Sequence, residues 1–170
     1  RKKRVFIPAL KEYITPHFGV FSPNRGEYLD LIGQVALPKK HDIAFDIGVG
    51  TGVISILLAK RGIPKIVATD LDPRALACAQ ENIQSLGLQD QNELSLTDLF
   101  PQGHADLVVC NPPWLPAQPS SLIEHAIYDP DSRFLKAFLH QLPEHLNQEG
   151  QAWLILSDLA EHLGLRQHQD

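Results

Sequence analysis

The stretch Asp46-Ile47-Gly48-Val49-Gly50-Thr51-Gly52 sets the architecture of this chain. It is entered from Ile43-Ala44-Phe45-Asp46-Ile47, a short apolar run of strand length. It is left through Val53 to Arg61, an apolar run of helical length closed by Gly62. A strand passing through glycines into a helix opens a βαβ unit. The glycines permit the tight turn and let a ligand approach the backbone, and the helix that follows starts with free N–H groups. The spacing is Gly-x-Gly-x-Gly behind an acid. A dinucleotide fingerprint asks for glycine three residues after Gly50, and Val53 stands there.

Strands and helices alternate from here on. Lys65 to Thr69 is the second strand. Asp72-Pro73 then supplies an N-cap and a first-turn proline for a helix through Ala75, Leu76, Ala79 and Ile83 to Gly87. Glu93 to Thr97 and Ala105 to Cys110 are the third and fourth strands. Pro112, Pro113, Pro116 and Pro119 mark an irregular loop. A helix over Ser132 to Leu146, broken near Pro143, leads to a fifth strand over Gln151 to Leu156 and one more helix from about Asp158. Upstream, Tyr28, Leu29, Ile32, Val35 and Ala36 recur at helical spacing, so Arg25 to Ala36 is an amphipathic helix. The expected fold is α/β, an open doubly wound sheet whose ligands bind outside the carboxyl ends of the strands, where strand order reverses.

Several candidate residues fall at those ends. Asp70 closes the second strand, where an acid can accept both hydroxyls of a ribose. Asp72 is the rival, but the proline after it makes it the better helix cap. Asp98, past the third strand, either meets an adenine amino group or is a turn residue before Leu99-Phe100-Pro101. The fourth strand ends in Asn111-Pro112-Pro113-Trp114, the most specific signal in the chain. An amide or exocyclic amino nitrogen is a poor nucleophile because its lone pair is delocalised. Two acceptors on its two N–H groups hold the lone pair toward an electrophile. Asn111 offers a side-chain carbonyl and Pro112 a backbone carbonyl with no N–H to compete. Pro113 holds Pro112 extended, and Trp114 offers a flat face for stacking.

The glycine loop with Asp70 and Asp98 resembles class I S-adenosylmethionine-dependent methyltransferases. Asn-Pro-Pro with an aromatic residue is similar to their small-domain branch. That branch includes glutamine N5-methyltransferases and amino-group methyltransferases of RNA and DNA bases. Phe18-Gly19-Val20-Phe21-Ser22-Pro23 with Arg25 and Glu27 resembles the segment covering the cofactor site in that branch. The resemblance implies a Rossmann-like sheet and S-adenosylmethionine as cofactor. It implies that Asp46, Gly48, Gly50 and Gly52 lie at the methionine part and that Asp70 with Leu71 lies at the ribose. Asp98 with Leu99 lies at the adenine, and Asn111, Pro112, Pro113 and Trp114 lie at the methyl group. Residues 1–40 then form a segment and helix over the cofactor site, and 41–170 the catalytic core. The family's sheet has seven strands and this chain offers five, so truncation at the C-terminal end is the expectation.

Composition bounds the rest. The chain has 170 residues, 44% hydrophobic and 21% charged, which suits a soluble globular domain. No run of about eighteen apolar residues suggests a membrane span, and cytoplasmic residence follows as the default. A net charge of −5 argues against broad nucleic-acid binding. The basic run Arg1-Lys2-Lys3-Arg4 is either a local patch or a solvated tail. Cys78 and Cys110 fit no metal or disulfide spacing. His125, beside Glu124, either contacts substrate or is a surface residue. Asp129, Asp131 and Arg133 border the substrate cleft, or Asp131 caps the next helix. The partner is a protein or an RNA or DNA bearing a planar NH2. A dinucleotide-dependent oxidoreductase and a non-catalytic nucleotide-binding module are the alternatives.

Overall fold

The computed structural model describes residues 3–23, 26–113 and 129–156. Two short strands come first, β1 (Val5–Ile7) and β2 (Glu12–Ile14), then α1 (Glu27–Gln34). The central unit follows as β3 (Ile43–Ile47), α2 (Val53–Lys60), β4 (Lys65–Asp70), α3 (Pro73–Ser85), β5 (Asn92–Leu96) and β6 (Ala105–Cys110). After a 3-10 turn at Pro130–Ser132 come α4 (Arg133–Gln141), a second 3-10 turn (Leu142–His145) and β7 (Leu146–Leu154).

Five strands form one sheet in the order β5-β4-β3-β6-β7, every pair parallel. The chain builds leftward from β3 to β5, then crosses to β6 on the other side. Strand order therefore reverses between β3 and β6, and a crevice opens beyond Ile47 and Cys110, which are register partners. This is the Rossmann-like doubly wound α/β sheet expected from the sequence.

Period-two alternation sorts side chains between the faces. Ala44 on β3 and Leu107 and Val109 on β6 enter the core shared with α2, α1 and the hairpin. Phe45, Ile47, Val108 and Cys110 enter the opposite core with Phe138 of α4. Asp46 shares the first face and lies buried under α2.

The structure departs from the expected elements in four places. The β1–β2 hairpin had no signal, because three residues per strand are too few to show alternation. The helix expected over Ser132 to Leu146 is α-helical only to Gln141; Pro143 falls in the 3-10 turn that follows. Its first turn is capped by Asp129, not Asp131. Phe134 N and Leu135 N donate to the Asp129 carboxylate at 2.8 and 3.1 Å. The fifth strand starts at Leu146 and not Gln151, through an irregular step opposite Ala105 and Leu107. Among the described residues β7 pairs only with β6, and no helix is long and apolar enough to cross a membrane. Trp114, Glu124, His125 and the helix expected from Asp158 lie outside the described residues.

Candidate active site

The glycine loop turns back on β4. Gly48 N and Val49 N both donate to Thr69 O at 2.9 Å, and Gly50 N donates to Asp70 Oδ2 at 3.1 Å. Gly48 and Gly50 have φ of +82° and +52°, and among the described residues nothing but their chain neighbours lies within 4 Å of where a Cβ would stand. Gly52 serves a different end. With φ of +86°, its missing Cβ would meet Ala79 Cα and Cβ at 3.2 Å. It lets α2 start close against α3 and is not among the residues lining the cavity beside the loop.

That cavity, about 510 Å³, occupies the crevice at the strand ends. Gly48 and Gly50 form one wall; Asp70 and Leu71, then Asp98 and Leu99, follow along the ends of β4 and β5. Asn111, Pro112 and Pro113 border it from β6. Asp70 is held by two backbone donors, Gly50 N at Oδ2 and Asp72 N at Oδ1, the latter at 2.9 Å. Burial nevertheless raises its carboxyl above the usual range, those two bonds opposing. Asp72 is the cap of α3: Arg74 N donates to it at 2.9 Å, and the Arg74 guanidinium pairs with it at 2.6 Å. The cap bond needs only two residues of the same chain, which is why sequence could separate the two acids. Leu99 adopts φ of +57° and receives a 2.5 Å hydrogen bond on its carbonyl from Thr69 Oγ1.

Asp46 stands behind the wall and does not line the cavity. It is wholly buried, and Ser55 Oγ donates to its Oδ2 at 2.6 Å. Its Oδ1 has no partner among the described residues. Burial pushes this carboxyl up to about 7, with the Asp70 charge adding and the Ser55 bonds opposing. Two further lining residues carried no sequence signal of function. Tyr28 comes from α1 and Phe134 from α4; Tyr28 reads as an ordinary amphipathic helix position, and Phe134 falls within the expected helix. The segment Gly19, Val20, Phe21 and Pro23 also borders the cavity. Asp129, Asp131 and Arg133 do not line it.

A glycine loop, an acid at the next strand end and Asn-Pro-Pro across the switch point thus share one cavity. Residues 13–167 match the family described as Methyltransferase small domain.

The chain belongs to the small-domain methyltransferases.

A putative protein N5-glutamine methyltransferase of Methanocaldococcus jannaschii is 34% identical over 152 residues, covering 84% of this chain and 75% of that protein. A tRNA1(Val) (adenine(37)-N6)-methyltransferase of Pedobacter heparinus is 29% identical over 136 residues, covering 74% of this chain but 56% of that protein. Among solved structures, a ribosomal protein L11 methylase of Lactobacillus delbrueckii subsp. bulgaricus superimposes with a TM-score of 0.63. It shares 24% identity over 86% of this chain and 67% of its own, a likeness of fold. The methyltransferase depends on S-adenosylmethionine, and its residues suit that group. The glycine wall leaves room for a ligand against the backbone, and the unpaired buried Oδ1 of Asp46 asks for a positive or donating partner. The oxidoreductase alternative finds no support.

Proposed function

We propose that this methyltransferase acts on a planar nitrogen, the NH2 of a protein glutamine or of a nucleobase. The observation that carries this reading is the place of Asn111-Pro112-Pro113. They follow β6 directly after Cys110 and line the cavity that the glycine loop walls. S-adenosylmethionine supplies an electrophilic methyl group when bound. Everything else falls to the protein. Gly48 and Gly50 let the cofactor lie against backbone, with Asp46 behind them for its charged end. Asp70 accepts from the ribose, and Asp98 with Leu99 borders the adenine. The Asn111 side-chain carbonyl and the Pro112 carbonyl take the two N–H groups of the substrate. The lone pair is thereby turned out of conjugation toward the methyl group. The rate comes mainly from this alignment. The nitrogen carries a surplus proton after attack and loses it readily, so the site needs acceptors and not a strong base. Trp114 follows directly and offers a stacking face.

The glutamine amide is the first substrate reading, because the relative matched over most of both chains is named for it. The adenine amino group is the second, supported by the tRNA enzyme's likeness over 74% of this chain. Cys78 and Cys110 are buried and not joined to each other, which suits a reducing cytoplasm. Incubation with methyl-labelled S-adenosylmethionine and a cell extract, followed by separate protease and ribonuclease digestion, tests both readings. Label lost to protease supports glutamine, and label lost to ribonuclease supports the nucleobase. No incorporation in either fraction overturns the reading.

A further inference from the structure

Asparagine is a poor helix former, and a buried side-chain amide needs partners at both its ends. Asn82 nonetheless stands towards the end of α3 and is 1% exposed. Its partners come from two separate segments. Asn82 Oδ1 accepts from Thr15 N at 2.7 Å, and Asn82 Nδ2 donates to Thr51 O at 3.0 Å. A backbone N–H can only donate and a backbone carbonyl can only accept, so the amide is fixed one way round. An aspartate in its place would lose the second bond, and a leucine would lose both.

Thr15, directly after β2, begins a strap over residues 15–23 that runs back along α3. Its contacts step from Asn82 to Cys78, whose sulfur accepts from His17 N at 3.4 Å, and then to Ala75, which packs with Cys78 and Val20. His17 Nε2 pairs with Glu81 at 2.7 Å. Gly19, at φ of +80°, lies so close that a Cβ there would stand 3.0 Å from Arg74 Nη1. The strap thereby delivers Gly19, Val20, Phe21 and Pro23 to the cavity. Thr51, between Gly50 and Gly52 of the glycine loop, borders the same cavity. The loop meets α3 one turn before Asn82, where Gly52 packs on Ala79. Ala75, Cys78, Ala79 and Asn82 are all buried and recur at helical spacing on one face of α3. Asn82 is the point on that face where strap and loop are joined.

We infer that Asn82 is a positioning residue for cofactor binding, which ties the strap to the glycine loop and so fixes the spacing of two walls of the cavity. It does this without lining the cavity itself. The inference rests on the cavity being the place of S-adenosylmethionine. A ligand entering walls already held in place does not have to order them, and affinity gains by that difference. Without the tie, the strap is ordered at the cost of binding.

The test is Asn82→Ala beside Ile83→Val, a control that loosens the same helix in the main core and leaves the strap's contacts in place. Affinity for S-adenosylmethionine in titration calorimetry should fall on the order of tenfold in Asn82→Ala, the net worth of about one hydrogen bond. In Ile83→Val it should stay within about twofold. Amide exchange without cofactor separates the tie from general loosening. The Thr15 amide should exchange on the order of tenfold faster in Asn82→Ala. The Ile66 amide, which donates to Gln91 O at 2.7 Å in the sheet, reports opening of the whole fold and should change much less. Equal acceleration of both amides, or an equal loss of affinity in Asn82→Ala and Ile83→Val, overturns the inference. If Asn82→Ala does not fold, Asn82→Asp takes its place. It keeps the acceptor for Thr15 N and loses the donor for Thr51 O, so the Thr15 amide should stay protected while the cofactor binds more weakly; parent-like affinity overturns the tie. If Asp70→Ala binds S-adenosylmethionine as the parent does, the cavity is not the cofactor's place and this inference falls with that reading. If Asp70→Ala binds weakly and Asn82→Ala binds as the parent does, the role of Asn82 alone is overturned.

Discussion

Replacing Asp46 with asparagine should make the stability of this methyltransferase less sensitive to pH. Asp46 is wholly buried, with one oxygen bonded to Ser55 and the other without a partner among the described residues. Its carboxyl titrates near 3.8 when exposed and is pushed up to about 7 in the fold. The sign follows from proton counting. Between those two values the folded chain holds a proton that the unfolded chain has released. Stability therefore falls as pH rises from about 4 to about 7, and the loss is complete above that window. At about 1.4 kcal/mol for each tenfold separation, an ionised Asp46 costs the fold about 4 kcal/mol at pH 8. Asparagine cannot ionise and leaves Ser55 a carbonyl to donate to. Its buried amide donors do cost about 1–3 kcal/mol, but equally at every pH. The diagnostic is the pH dependence of the difference between variant and parent. Urea denaturation at pH 5 and pH 8, without cofactor, should show the variant gaining about 2–3 kcal/mol on the parent across the interval, the remainder of the penalty being already present at pH 5. A difference that is the same at both values refutes the assignment of the buried charge to Asp46.

Three further outcomes are expected. Asp70→Ala should weaken S-adenosylmethionine binding by about 1.5–3 kcal/mol in titration calorimetry, the usual loss for hydrogen bonds to a charged group; unchanged affinity rules out the ribose role. Asn111→Ala should slow methyl transfer on the order of 100-fold while leaving cofactor affinity near the parent value, because it removes one of two acceptors that orient the nucleophile; parent-like turnover in folded, cofactor-binding protein rules out that role. Gly52→Ala should destabilise by about 2–5 kcal/mol, from a left-handed φ and a Cβ pressed on the Ala79 backbone. An unshifted urea midpoint there shows that α2 and α3 are not in such close contact.

The glycine loop, the acid ending β4, the Asp72-Pro73 cap and Asn-Pro-Pro were all legible in the sequence. Each works within a few residues of chain. Asp72 takes the amide of Arg74 two residues on, and the strand-to-helix turn at Gly48–Gly52 is spelled by the residues that make it. The Asp129 cap was harder, because it reaches over a 3-10 turn to Phe134 and Leu135; Asp131 lies nearer in sequence but sits in the turn with a φ of +56°.

By itself the sequence determined that apolar strands alternate with helices and that three chemically marked turns follow three of those strands. Local spacing suffices for that, because backbone sterics and hydrogen bonding act over one or two turns of chain. Only the tertiary structure decided which turns meet. The order β5-β4-β3-β6-β7 brings the Asn111 end beside the glycine loop. It also sets Asp46 behind the cavity wall and assigns Gly52 to helix packing. It brings Tyr28, from a helix that precedes the sheet, to the cavity that Asn111 also borders. No residue type or spacing along the chain encodes that placement. It arises because burying the apolar side of α1, Leu29 and Ile32, leaves the neighbouring Tyr28 at the cavity.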